Sequence, residues 1–344
     1  MKDREIVRNA YRLILGREPE SETVLDRQFE NIFTLRNEFI SSDEFKNLIS
    51  NDFNIKSKLI ISNFEELDNF IKEFKNIGYK NMKQFCSKYT IDFNNFYSIY
   101  GQRNPYIDNP FSDEYKKWEM DFFEFLSGKK YLFENEGFPE IFSKHPEASY
   151  SIEAMIGRYK NYTDLIILLG NIKGKRVLEM GCGRGRLAIF FESIGCDYYA
   201  VDASINMVDT TKKLIFSEKI KTQILNKSFY EIGDFNIKFE YIIFEASFHH
   251  VGEAIKLLEM INNNSTNNAK IIFLREPIYD WYDRPWGVVR GDPETLLQTR
   301  MRGWLELGYR RDFFNDLLKK TGWKIKEKIN ITFENNEVFI AEKN

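Results

Sequence analysis

Residues Val177 to Asp202 read VLEMGCGRGRLAIFFESIGCDYYAVD. A short apolar strand ends in Glu179, a turn carries Gly181, Gly183 and Gly185, a helical run leads to Gly195, and a second apolar strand ends in Asp202. That succession is a βαβ unit with a ligand-binding turn. Glycines there let a ligand approach the backbone closely, and an acid at the tip of the second strand is placed to bind two ribose hydroxyls. The stretch therefore predicts a site for an adenosine-bearing ligand.

Two details narrow the ligand. The dinucleotide pattern needs its third glycine three positions after the second, but position 186 is Arg and the glycine comes one place early, at Gly185. Glu179, at the mouth of the turn, would sit where a pyrophosphate rests on the helix N-terminus, and two anions there repel. A carboxylate at that spot suits a cationic ligand. S-adenosylmethionine carries an ammonium and a sulfonium and no phosphate, so charge sign favours it over NAD, FAD or ATP.

On Glu179, Gly181, Gly183, Gly185 and Asp202 the chain resembles the class I S-adenosylmethionine-dependent methyltransferases. The resemblance implies that the first acid and the glycines line the methionine and ribose end of the cofactor, and that Asp202 holds the ribose hydroxyls. It also implies that Cys182, Ala203, Met207 and Glu245 border the cofactor. The turn after the third strand, where this family contacts adenine, carries Ser228 and Phe229 here.

At 344 residues the chain exceeds one average domain, and two domains are expected. With 49 basic against 52 acidic residues the net charge is −3, which creates no overall field for nucleic acid or an anionic membrane. The opening MKDREIVRNAY is charged and amphipathic, unlike a secretion signal, and no apolar run approaches the roughly 20 residues that span a bilayer. Cys86, Cys182 and Cys196 are odd in number and lack CxxC spacing, so neither a disulfide framework nor a zinc site is indicated. A reducing cytoplasm is the expected location.

Residues Glu5 to Leu15 put Ile6, Ala10, Leu13 and Ile14 on one helical face. Ser41 with Glu44, and Ser62 with Glu65, read as capping boxes before further helices, the second preceding Phe64, Leu67, Phe70, Ile71 and Phe74. The first hundred residues are thus expected to form a small all-α domain. Within them YRLILGREPE and FISSDEFKN resemble a small helical domain of unknown function found in bacterial surface-polysaccharide enzymes. Residues 101–165, rich in aromatics, Pro and Asn, read as a connector or lid, with Tyr150, Arg158 and Tyr159 as candidates to cover the site. From residue 166 onward strands alternate with helices, which predicts a Rossmann-like, doubly wound α/β sheet. The tail from Arg311 reads as a helix and a hairpin turning at Asn335 and Asn336, matching the antiparallel closing strands of the methyltransferase fold.

Methyl transfer is an in-line displacement in which the enzyme mainly aligns the acceptor. A hydroxyl acceptor must also lose its proton, a task suited to His near neutral pH. His249 and His250 follow the fourth strand at the carboxyl end of the sheet, where ligands of open α/β sheets bind. His249 is the favoured base and His250 its alternate. No metal is expected, because an adjacent pair without a spaced third ligand is a poor site.

The segment from Arg275 to Arg311 holds seven Arg and three of the five Trp, including Trp286 and Arg290. Flat aromatic faces suit sugar rings, and arginine forks suit phosphates or carboxylates. The strings REPI, RPWGVVRGD and RGWLELGYRRDFF, with NPFSDEYKKWEMDFFEFLSGKKY and ENEGFP upstream, resemble a methyltransferase subgroup associated with bacterial glycan assembly. The resemblance implies a sugar or glycan-precursor acceptor, methylated on a hydroxyl, with an amino group as the nearest variant; Tyr150, Arg158, Trp286 and Arg290 are the residues expected to hold it. The alternative reading is a non-catalytic adaptor whose helical domain recruits glycan-assembly enzymes.

Overall fold

The computed structural model describes residues 4–14, 18–27, 58–78, 81–101, 109–132, 162–167, 169–183, 185–214, 223–330 and 337–344, with single positions 35, 38, 39, 42, 136 and 160. The chain divides into two compact units, Met1–Leu59 and Ile60–Asn344. In the first, the helix Arg4–Ile14 buries Val7, Ala10 and Tyr11 with Leu25, Leu35 and Phe39. Tyr11 and Phe39 meet edge to face at 4.9 Å. The expected Ser41 and Glu44 cap, the lid residues Tyr150, Arg158 and Tyr159, and the turn at Asn335 and Asn336 lie outside the described residues.

The second unit is built on a seven-stranded sheet. Its strands are β1 (Arg176–Met180), β2 (Asp197–Asp202), β3 (Gln223–Asn226), β4 (Phe239–Glu245), β5 (Ser265–Leu274), β6 (Trp323–Asn330) and β7 (Glu337–Lys343). They lie in the order 6-7-5-4-1-2-3. Strands β1 to β5 pair in parallel, while β7 runs antiparallel to both β5 and β6. The α/β class and the antiparallel closing strand are as expected. Successive strand residues alternate between two cores because side chains alternate across a strand. Val177, Tyr198, Ala200, Ile243, Ile272 and Ile340 join one core. Leu178, Met180, Val201, Ile242, Phe244 and Phe273 join the other. Both faces are covered, as a parallel sheet requires.

The second core differs from the expected division at residue 100. It runs without interruption from Phe70, Phe74, Phe85 and Phe96 through Trp118 and Phe122 to Phe244 and Phe273 of the sheet. The described residues of the 60–132 stretch therefore belong to the second unit. A buried ion pair fixes them there: Arg284 Nη1 lies 2.7 Å from Glu119 Oε1, and the Val288 N–H donates to Glu119 Oε2 at 3.1 Å. Arg284 also lies 4.6 Å from the centre of the Tyr97 ring. Burial raises the Glu119 carboxyl to about 7, against the opposing pull of Arg284. The helix Phe64–Ile77 is capped one residue later than its sequence predicts. Asn63 accepts from the Glu66 N–H, and Glu66 in turn accepts from Ser62 N–H and Oγ–H. No described helix is long and apolar enough to cross a membrane. All three cysteines are free and buried.

Candidate functional site

The glycine turn after β1 works in two ways. At Gly181 (φ 83°) a Cβ would stand 2.8 Å from the Ser247 Cβ, so this glycine admits the loop after β4 rather than a ligand. At Gly183 (φ 50°) a Cβ would meet no atom within 4 Å, so here the backbone faces open space. Gly185 (φ 71°) closes the turn by donating its N–H to the Cys182 carbonyl at 2.9 Å. Cys182 is buried, as is Met207, whose N–H donates to the Ser204 carbonyl. The Ala203 carbonyl accepts from Asn226 Nδ2, which fixes the bend after β2.

Asp202 holds the turn from the other side. Its Oδ2 accepts the Gly183 N–H and its Oδ1 the Ser204 N–H, both at 2.8 Å. Burial raises the carboxyl against the pull of those two donors. Each oxygen accepts a second hydrogen bond, so the carboxylate can still take ribose hydroxyls. Glu179 is only 2 % exposed, and its Oε2 has no hydrogen-bond partner among the described residues. Burial, then the nearby charges of Glu245 and Asp202, push its carboxyl well above the usual range. A buried, unsatisfied acid is costly in a fold and suits a cationic ligand group.

The remaining cofactor candidates are less uniform. Phe229 borders the turn, its ring edge 3.3 Å from where a Gly181 Cβ would stand. The Ser228 N–H is taken by Glu231 Oε2 at 2.8 Å, so Ser228 starts the short helix Phe229–Phe235 and its amide is not free for adenine. Glu245 accepts from Tyr162 Oη at 2.6 Å and lies 3.5 Å from Arg275 Nη1. The residues just past β4 and β5, Ala246 (φ 51°) and Arg275 (φ 60°), are both left-handed. Such strain in non-glycine residues collects at functional sites.

The loop that Gly181 admits carries both histidines. Ser247 Oγ–H donates to the Met180 carbonyl, and the Ser247 and Phe248 N–H groups donate to Glu276 Oε1 at 2.7 and 2.8 Å. Glu276 Oε2 lies 2.8 Å from His249 Nδ1, which orients the buried ring and turns Nε2 toward Glu306 Oε2 at 3.6 Å. The His250 ring centre is 4.2 Å from that of His249, and its Nδ1 lies 2.9 Å from Glu136 Oε2. Burial, then the neighbouring His250 charge, lowers the His249 pKa, so His249 is neutral at neutral pH. Burial acts the same way on His250, but Glu136, Glu306 and Glu276 outweigh it and raise that imidazole to about 9.

Two substrate candidates stand elsewhere than expected. Trp286 is a core residue, 7 % exposed, with its Nε1–H donated to the Pro110 carbonyl and its ring against Tyr115 and Phe313, so it offers no sugar platform. Arg290 is paired with Glu306, and its Nε lies 3.7 Å from Asp292. Most of the Arg-rich segment is likewise engaged within the fold, Arg284 with Glu119 and Arg311 with Glu337 among them. Glu136, Glu276 and Glu306 surround the histidines although none stood out as functional in the sequence. Glu276 carried one usable signal, an acid two residues past the fifth strand.

An open backbone face at Gly183, a buried Glu179 carboxyl with one unpartnered oxygen and spare acceptor capacity on Asp202 fit a ligand with a cationic end and a ribose. Residues 155–328 match the model of the methyltransferase domain family. Over 144 residues the chain is 28 % identical to an uncharacterized methyltransferase of Staphylococcus carnosus (strain TM300), covering 40 % of this chain and 67 % of that one. It is 24 % identical over 198 residues to an uncharacterized protein of Haemophilus influenzae, covering 55 % and 76 %. Among solved structures, magnesium protoporphyrin IX methyltransferase from Synechocystis PCC 6803 overlays with a TM-score of 0.43 at 16 % identity, covering 57 % of this chain and 89 % of that one. The chain belongs to the methyltransferase domain family, and it is a methyltransferase.

Proposed function

We propose that this protein methylates a hydroxyl group on a sugar or glycan precursor, with acceptor activation at the His249 and His250 pair. The observation that carries the reading is the contact between Ser247 and Gly181, because it seats the histidine loop directly on the turn that borders the cofactor. When bound, S-adenosylmethionine supplies an electrophilic methyl on a sulfonium, whose departure leaves a neutral thioether. Glu179 receives the cofactor's ammonium, Asp202 the ribose hydroxyls, and Phe229 borders the adenine side. Glu276 fixes His249 in one orientation, so that Nε2 faces the acceptor. In a water-poor setting this alignment contributes most of the rate.

A sugar acceptor is supported by the surface beyond Arg290. An open groove of about 250 Å³ is lined there by Phe93, Tyr97, Trp281 and Tyr282, with Asp92 and Asp283 at its edge. Trp281 is 69 % exposed and stacks on Tyr279 at 5.3 Å. Flat rings beside carboxylates suit the apolar faces and hydroxyls of a sugar. In the same reading the Met1–Leu59 unit recruits glycan-assembly enzymes.

The test supplies labelled S-adenosylmethionine with a pool of sugar nucleotides and lipid-linked sugars. Label should enter a sugar hydroxyl. His249→Ala should lower turnover about a hundredfold or more while cofactor affinity is retained. Label appearing only in protein or nucleic acid would overturn the acceptor class, and full turnover by His249→Ala would remove the histidine loop from the reaction.

A further inference from the structure

We propose that His249, His250 and Glu306 form a binding site for a divalent first-row transition metal ion, with positions left open for the acceptor oxygen. This rests on the reading of the histidine loop as the centre that activates the acceptor, and it names the activating agent. One donor atom from each of the three residues lies within 4.8 Å of the other two. Two imidazoles and one carboxylate are a donor set that such ions take readily. A tetrahedral ion holding its donors at about 2.1 Å sets them about 3.4 Å apart, so side-chain adjustments of about an ångström would close the site.

The surroundings are those of a metal centre. His249 Nδ1 is hydrogen-bonded to Glu276 at 2.8 Å, which leaves its Nε2 for an ion, and His250 Nδ1 lies 2.9 Å from Glu136 without hydrogen-bond geometry. Outer carboxylates of this kind fix the tautomer and ring orientation of ligating histidines. Glu306 is held in turn by Arg290 and keeps further lone pairs for coordination. Glu136 is itself fixed by the Leu305 N–H, 2.8 Å from its Oε1, which ties it to the loop that presents Glu306.

Charge supports the assignment. Three carboxylates (Glu136, Glu276, Glu306) against one guanidinium (Arg290) surround the two imidazoles, a balance that favours a bound cation. A cation with three protein ligands keeps a position for the acceptor hydroxyl and lowers its pKa as it would that of water. The hydroxyl proton then passes to solvent, and the oxygen forms its bond to the methyl carbon. The carbon–sulfur bond breaks with its electron pair remaining on sulfur.

The full-length protein is stripped with a chelator and dialysed separately against Co²⁺, Mn²⁺ and Zn²⁺. Metal per chain is then counted by elemental analysis, and the visible spectrum of the Co²⁺ form is recorded. One ion per chain is expected, with Co²⁺ bands of mixed nitrogen and oxygen ligation in the wild type. His250→Ala and Glu306→Gln should each weaken binding at least tenfold, and Glu136→Gln about tenfold or more. Substoichiometric metal, a Co²⁺ spectrum of the free aqueous ion, or affinity unchanged in both ligand variants would overturn the proposal. Full turnover by the stripped protein would also overturn it while leaving the acceptor reading intact. Stoichiometric metal in a protein that methylates no sugar would instead strike the acceptor reading alone.

Discussion

Glu179, next to last in β1, has one carboxylate oxygen unsatisfied, and burial with the charges of Glu245 and Asp202 holds its proton on well above the usual carboxylate range. That arrangement has a signature in solution. Burial and the neighbouring acids favour the protonated form of Glu179 in the free protein, whereas a bound ammonium favours the carboxylate, so cofactor binding should be coupled to proton release. Affinity should then rise with pH until it reaches the raised pKa of the free protein, and level off above it. Calorimetry in two buffers of different ionisation enthalpy reads the proton directly. Proton release that persists in Glu179→Gln, or none in the wild type, would assign the ammonium to another group. The residue also shows what was legible from sequence. An acid before a glycine turn declared a cation site, yet its three-carboxylate surroundings needed strands β1, β2 and β4 side by side.

At the scale of elements, the five parallel strands and the closing hairpin could be read from apolar runs and turn residues, because a strand buried on both faces leaves an unmistakable run such as IIFL in β5. The boundary between units could not. Helices Phe64–Ile77 and Phe93–Tyr100 show ordinary amphipathic stripes, and nothing in a stripe says which core it enters. In the structure Phe70, Phe74 and Phe96 enter the core beneath the sheet. A protein starting at residue 60 should therefore keep its cofactor affinity and its melting temperature. One starting at residue 101 strips several fully buried aromatics, each worth about 3 to 5 kcal/mol on removal, and should fail to fold. Thermal melts with and without S-adenosylmethionine check both. A stable, cofactor-binding chain from residue 101 would restore the boundary that the sequence alone suggests.

Across the whole molecule the groups gathered around the two histidines come from distant parts of the chain. Glu136 precedes the sheet, His249 and His250 follow β4, Glu276 follows β5, and Glu306 stands beyond the helix Pro293–Arg302. Sequence spacing exposes adjacent histidines but not carboxylates brought to them by topology, and for the same reason Trp286 and Arg290 read as ligand groups although packing and pairing engage them. The net charge of −3 is small. The acids concentrated near the ends of β1, β2 and β4 nevertheless make the cofactor region locally negative, in keeping with a cationic cofactor. The central claim is that this region binds S-adenosylmethionine through Asp202 at its ribose. Calorimetric titration of S-adenosylmethionine into wild type and Asp202→Ala, with melting curves to verify folding, tests it most directly. The variant should lose about 1.5 to 3 kcal/mol of binding free energy, roughly tenfold to a hundredfold in affinity, and a folded variant that binds as tightly as wild type would contradict the assignment.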